Sequence, residues 1–441
     1  MQLKPKPAAG NLRAGLMAAT CALLAPSVKA QGVSGADEFD NASVDTGLLY
    51  YQEDKGRVRS IDAIVKLSHD FGDERTLTAT GSVDSLTGGS PNGAVAQLSP
   101  QTFTTPSGSS LVATPRPRGE DDDEHGKLYT IAPGDQPLDP SFRDLRVAGD
   151  LTWSQPLGIG NKLSANGHLS VEHDFQSAST SLMFSRDFNS KNTTLGVGVS
   201  GELDVIKPIG GVPVAGSDYT LFQKSDGTEN KHVLGAQLGV TQVLARNWIA
   251  QLNFSVDSSS GYLNDPYKLV SNVDVNGVTQ QYLFESRPGS RQRRSVWLGN
   301  KLALGNSVLD LSLRYGTDDW GIDSQTVEAH YRMRVGGSMY LEPHLRWYKQ
   351  GAADFYRMYL TGADAATSDK SADPRLGAFT AKTIGVKLGV PLASGGEVGV
   401  RLEAYQQDPK THTSALAGLA GLDLNPRLRA VMLQLDWKFG F

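Results

Sequence analysis

The sequence predicts an all-β fold, a transmembrane antiparallel β-barrel of about sixteen strands with short periplasmic turns and long external loops. Three observations predict it. Beyond residue 40, apolar and polar residues alternate in runs of about ten, the period of a strand whose two faces meet unlike solvents. The connections between those runs alternate between tight turns and long loops, the asymmetry of outer-membrane barrels. The last run is unbroken: Val431, Leu433, Leu435, Trp437, Phe439 and Phe441 are set against Met432, Gln434, Asp436, Lys438 and Gly440.

Composition and domain order agree with that class. Glycine, 48 of 441 residues, is about 11% of the chain against roughly 7% on average, which favours many short strands. The longest uncharged stretch, between Asp84 and Arg116, is rich in Gly, Ser, Thr and Pro and cannot form a membrane helix. Residues 1–30 read as a signal peptide: Lys4, Lys6 and Arg13 precede an apolar run at 14–25, and small residues near Ala30 mark the cut. A periplasmic segment at 31–42 and one barrel at 43–441 follow, in the outer membrane of a Gram-negative bacterium. The only cysteine, Cys21, lies in the leader, so disulfides, thiolate catalysis and zinc–cysteine sites drop out. Loss of Lys4, Lys6, Arg13 and Lys29 moves the formal charge of −5 to about −9, which disfavours nucleic acid.

Strands are expected at 43–54, 58–71, 75–85, 143–155, 162–175, 178–187, 193–206, 232–244, 247–257, 294–304, 307–317, 322–335, 338–350, 379–391, 397–408 and 428–441. The connections then sort by parity. Those after even-numbered strands are short and carry Gly, Asn or Asp. Every long one follows an odd-numbered strand: 86–142, 207–231, 258–293, 351–378 and 409–427, all external loops. The third external connection, by contrast, is only about Gln176-Ser177. A soluble propeller or tandem sandwich would also alternate. The leader, the loop segregation and the terminal strand together favour the barrel. That strand, ending at Phe441, resembles the signal outer-membrane barrels present to the barrel assembly machinery, the expected partner alongside membrane lipid.

Strand parity assigns the wall. With the apolar series outward, the lumen receives Asp310, Arg314, Glu328, His330, Arg332, Arg334, Glu342, His344, Arg346, Lys387, Arg401 and Glu403. Leu311, Val327, Leu345, Ile384, Val400 and Leu402 then face lipid, where a mid-bilayer Arg or Lys would cost about 2–4 kcal/mol. No single-sign ring announces anion or cation preference. The hairpin at Gly336-Gly337-Ser338 fixes a register of Arg334 with Tyr340, Arg332 with Glu342, His330 with His344 and Glu328 with Arg346. Two histidines alone fall short of the protein ligand set usual for zinc, so no metal and no cofactor is expected.

Val83-Asp84-Ser85-Leu86-Thr87-Gly88-Gly89-Ser90-Pro91-Asn92-Gly93, Ser260-Gly261-Tyr262-Leu263-Asn264-Asp265-Pro266-Tyr267-Lys268, Arg287-Pro288-Gly289-Ser290-Arg291, the Asp318-Asp319-Trp320-Gly321 core, and Arg346 through Asp354 to Tyr356 are long motifs. Together they resemble a bacterial family known as domain of unknown function 3570. Gly89 departs from the Ala expected there. The resemblance implies a barrel and supplies no activity. Because these motifs fall where odd strands meet external loops, Asp84, Thr87, Pro91, Asn92, Asn264, Asp265, Pro266, Asp318, Asp319, Trp320, Asp354 and Tyr356 are expected to organise the outer mouth.

Catalytic signatures are lacking: the sequence holds no Gly-x-Ser-x-Gly elbow, no His-Glu-x-x-His and no phosphate-binding loop. An enzyme is not expected. The acidic run at 120–125 reads as a solvated loop tip. The reading is a porin-like channel for small solutes, since sixteen strands can enclose water. The alternative is a structural or docking protein with a loop-plugged lumen.

Overall fold

The computed structural model describes residues 42–105, 128–221, 223–362, 364, 368–393, 395–410, 414 and 416–440. The signal peptide, residues 31–41, the acidic run at 120–125 and Phe441 lie outside them. Sixteen antiparallel strands close on themselves in chain order. They are β1 Ala42–Glu53, β2 Arg59–Asp70, β3 Thr76–Pro91, β4 Leu138–Pro156, β5 Asn161–Val171, β6 Phe175–Phe188, β7 Thr193–Ile206, β8 Glu229–Ala245, β9 Trp248–Gly261, β10 Ser290–Leu304, β11 Ser307–Asp318, β12 Asp323–Arg334, β13 Tyr340–Gln350, β14 Phe379–Pro391, β15 Glu397–Pro409 and β16 Leu428–Gly440. β1 pairs β16 with Ser43 opposite Gly440, so the barrel has no open edge.

The alternation drives this closure. Outward residues such as Leu345, Ile384, Leu402 and Leu433 are exposed large aliphatics, a belt that water would penalise and lipid covers. Their sequence neighbours point into a polar lumen. At the β12–β13 turn, Val335 N–H donates to Met339 O at 2.9 Å, and Gly336 and Gly337 take φ of +51° and +59°, a left-handed backbone that glycine adopts without strain.

Two sets of boundaries differ from expectation. Residues 86–91, 138–142, 258–261 and 290–293, expected as loop, extend β3, β4, β9 and β10. A bulge between Gly88 and Ser90 lets β3 continue past its glycines. The third external connection is Glu172-His173-Asp174 rather than Gln176-Ser177, closed by Glu172 N–H on Phe175 O at 2.7 Å. The tight turn has no glycine or proline to mark it, so the polar run of β5 reads straight through.

The long loops do not stand apart. The connection between β9 and β10 forms a ribbon, Leu269–Val273 against Thr279–Phe284, on which the others converge. Phe103 and Ala94 of the β3–β4 loop pack with Tyr219, Leu269 and Phe284. Val273 meets Val95 and Leu419, and Val270 and Leu283 meet Leu360 and Ala372. Backbone bonds join the same partners: Leu269 N–H to Asn92 O at 2.7 Å, Leu360 N–H to Ser271 O at 2.8 Å and Gly418 N–H to Asn276 O at 2.6 Å. In chain order around a closed barrel, β3 and β9 are well separated by either route, so a loop from one can bond a loop from the other only across the opening. The loops therefore bridge the mouth.

Candidate pore lining and capped mouth

Seven adjacent strands, β10 to β16, share one charged wall inside the barrel. Arg332 Nε donates to Glu342 at 2.9 Å, and Arg401 reaches Glu342 at 2.9 Å and Glu403 at 3.3 Å. Lys387 bonds Asp436 at 2.7 Å and lies 3.8 Å from Glu397. His330 pairs with His344, their rings stacked at 4.1 Å with planes 4° apart, and Glu328 pairs with Arg346 at 3.7 Å. Asp310 meets Lys301 of β10 at 3.5 Å, and Arg334 stands opposite Tyr340. Glu328–Arg346, Arg332–Glu342 and Lys301–Asp310 lie across adjacent strands, where opposite charges contribute roughly 0.2–1 kcal/mol, whereas Arg401–Glu342 and Lys387–Asp436 each reach past the strand between them. On the opposite wall Ser154 bonds Ser164 and Ser255 bonds Ser295, each at 2.8 Å, beside the pairs His168–Asp150 at 2.9 Å and Lys231–Glu202 at 3.6 Å.

Above the charged wall lies a cavity of about 560 Å³. Its sides carry Arg291, Arg293, Arg314, Arg346, Tyr348 and Tyr405, and Arg287, Asp373 and Arg375 belong to the loops above. Among its lining acids are Asp318, Asp373 and Glu403, and arginines outnumber them.

A buried ionic cluster ties the β9–β10 and β13–β14 loops together over this cavity. Arg287 approaches Glu285 at 2.7 Å through Nε, and its Nη2 donates to both Glu285 at 3.0 Å and Asp373 at 2.8 Å. Arg375 bonds Asp265 at 2.6 Å and Asp373 through Nε at 2.8 Å. Ser371 donates to Glu285 at 2.6 Å, and Lys268 donates to the Pro91 carbonyl. Burial pushes the Glu285 carboxyl up to about 7, against the pull of Arg287. Burial also works to raise Asp373, but Arg375 and Arg287 outweigh it and hold that carboxyl well below the usual range.

Most of the expected mouth residues serve this cap. Asn264 accepts the Arg287 N–H at 2.6 Å, and Asp265 accepts the Tyr267 N–H at 3.1 Å across Pro266, the turn expected from their sequence. Asn92 accepts the Ala94 N–H at 2.9 Å, and Pro91 supplies the carbonyl for Lys268. Asp318 accepts from the backbone of Trp320 and Ile322 at 3.0 and 2.9 Å and from Arg291 Nε at 2.8 Å. Trp320 lies under the Arg291 guanidinium at 4.4 Å and edge-on to Phe355. Asp319 accepts the Gln292 N–H, Asp354 N–H bonds Trp320 O, and Tyr356 packs on the same apolar seam. Asp84 sits deeper, on β3, bonded to Arg146 at 2.7 Å. Thr87 lies on β3 opposite Arg59 and takes no part in the cap contacts described above.

Residues 13–439 match the family described as "Protein of unknown function (DUF3570)". The chain belongs to that family. No curated protein matches it. Solved structures similar to this DUF3570 barrel include a bacterial polysaccharide outer membrane secretin, at 10% identity and TM-score 0.43, covering 92% of this chain and 100% of that one. The outer membrane protein OpdK from Pseudomonas aeruginosa is similar at 10% identity and TM-score 0.38, covering 91% and 98%. The siderophore receptor PirA from Acinetobacter baumannii is similar at 10% identity and TM-score 0.42, covering 91% and 60%.

Sequence reasoning about this DUF3570 chain named Arg314 and Arg346 of the arginine lining but missed Arg293, Arg294, Glu285, Asp373 and Arg375. Parity reaches side chains on strands, and Glu285, Asp373 and Arg375 sit on loops where no period applies. Arg287 and Lys268 did carry a signal, since both fall inside the motifs quoted above.

Proposed function

We propose that this protein is a porin-like channel of the Gram-negative outer membrane, whose capped mouth narrows access to a lumen that favours small anionic solutes. The cavity of about 560 Å³, in which arginines outnumber acids, carries the reading. A site lined with one predominant sign of charge raises the local concentration of the opposite ion and lowers its barrier to entry. Its tyrosine and arginine side chains suit planar carboxylates. No catalytic role is proposed. The C-terminal strand delivers the chain to the barrel assembly machinery, and its apolar face then meets lipid.

The bridged mouth favours a second reading, a docking protein whose lumen its own loops close. Purified protein in planar bilayers separates the two. Steady ohmic steps with a reversal potential on the anion side support the channel, and Arg314→Ser with Arg346→Ser should shift that potential towards cations. Absence of steps from correctly inserted protein would overturn the channel.

A further inference from the structure

We propose that the outer wall over β13 to β16 carries a binding site for a phosphorylated, multiply acylated glycolipid of the lipid A type, held by Lys382 and Arg429 above an apolar notch at Ala404. The inference takes the outer-membrane placement from the proposed function and is independent of whether the lumen conducts.

The site follows from register. On the lipid face one cross-strand row reads Leu345, Ile384, Ala404 and Val431 across β13, β14, β15 and β16. Neighbouring strands lie about 4.8 Å apart, so Ile384 and Val431 stand roughly 10 Å from each other with a single methyl group between them. Both flanking side chains are exposed, and Ala404 floors a notch that a hydrocarbon chain can fill. The notch belongs to an open hollow of about 900 Å³ to which Val327, Ala329 and Leu345 also contribute. Two residues nearer the external loops, the next row repeats the arrangement in polar form: Lys382 and Arg429 flank Gln406 as Ile384 and Val431 flank Ala404. Trp347 stands opposite Lys382 on β13 and gives this row the depth of the membrane interface, where indole rings collect. An acyl chain seated in the notch therefore brings its headgroup to the two cations.

The charge at that depth is unbalanced. Lys349, two residues beyond Trp347, adds a third cation, and among the described residues neither it nor Lys382 nor Arg429 has a carboxylate partner within ion-pair distance. Asp408, at the same rim, is taken by Arg427 and by Gln406, which donates to it at 2.8 Å. Asp54 accepts the Arg429 backbone N–H at 3.3 Å, so Lys349, Lys382, Arg427 and Arg429 face two acids. A phosphate monoester carries about −1.5 to −2 charges and offers three acceptor oxygens, the complement of an ammonium and a guanidinium on either side of an amide. Lys382, Gln406 and Arg429 lie at the strand ends that meet loops 351–378 and 409–427, hence in the outer leaflet. The notch beneath the cations selects an acylated ligand over a free anion.

The test uses refolded, delipidated full-length barrel in non-ionic detergent, titrated with lipid A and read by native mass spectrometry. One lipid A per chain should survive removal of the detergent, whereas lipid A stripped of its phosphates and phosphatidylglycerol should not. At about fivefold per cation, Lys382→Gln with Arg429→Gln should weaken binding about 25-fold. Ala404→Leu, which fills the notch with a side chain the lipid face tolerates, should remove most of the retained lipid A. Arg143→Gln, an exposed outward position on β4, should leave retention unchanged. Heat-modifiable mobility confirms that each variant is folded. Equal retention of the dephosphorylated lipid, or wild-type binding by the double variant, would overturn the site. Equal retention of phosphatidylglycerol would reduce it to a general attraction for anionic lipid and would overturn it too. Any of these failures leaves the channel reading standing, because conductance is measured on the lumen.

Discussion

Replacing Arg287 by Met should unfasten the cap without opening the barrel. Methionine roughly conserves the length of the side chain and removes its charge. Three contacts disappear, at 2.7, 3.0 and 2.8 Å, from a side chain that is 8% exposed. Glu285, Asp373 and Asp265 are then left to Arg375 and Lys268. Removing one partner of a buried ion pair costs about 3–5 kcal/mol because the other charge stays buried. At 1.36 kcal/mol per tenfold, the open population of the cap should rise by about two to four powers of ten. Hydrogen exchange reads this directly. The amides of Leu269, Phe284 and Ser286, bonded to Asn92, Ser217 and Lys370 across the cap, should exchange faster by that factor, whereas amides of β15 should not change. The penalty should be smaller at pH 5 than at pH 8, because protonated Glu285 no longer presents a naked charge. The double variant Glu285→Gln with Arg287→Met should recover part of the loss. Unchanged exchange at those amides would show that the ionic cluster does not hold the loops.

Cap stability should also depend on pH in wild-type protein. Glu285 is raised to about 7 from an ordinary 4.5, so between those values the closed cap holds a proton that the open one releases; its stabilisation is complete below about 4.5 and fades as pH rises through 7, by about 3 kcal/mol at most. Asp373 is lowered, so its contribution is present above its ordinary value near 3.8 and lost as pH falls further; protection against exchange should therefore peak between these limits. Leu402→Arg, on the outer face at 59% exposure, should destabilise the inserted barrel by about 2–4 kcal/mol in denaturant titrations from lipid, if it lies near mid-bilayer, and an unchanged midpoint would contradict the lipid assignment. Deleting residues 94–138 should raise conductance, since this segment supplies Val95 and Phe103 to the seams that bridge the mouth; equal conductance in a folded deletion variant would free the loop of that role. Phe441→Asp should lower the yield of heat-modifiable, membrane-inserted barrel, and a normal yield would remove the assembly role of the terminal residue.

The barrel was legible because its physics is periodic and the cap was not because its physics is not. In β16 each residue declares its face by parity, and Leu433 and Gln434 point where alternation puts them. The β12–β13 register follows from one integer, the length of a turn whose glycines are visible, and His330 opposite His344 is its consequence. Parity fails where a boundary has no chemical mark, as at Glu172-His173-Asp174, where polar residues continue the strand pattern through a turn. It fails again at Gly88, where glycine reads as an exit but serves a bulge. The cap lies beyond any such rule. Arg287 and Asp373 are 86 residues apart and meet only because loops from separate strands cross one opening. What brings them together is closure of the sheet, a property of all sixteen strands, so the ionic cluster is a consequence of the barrel and can be found only once the barrel is built.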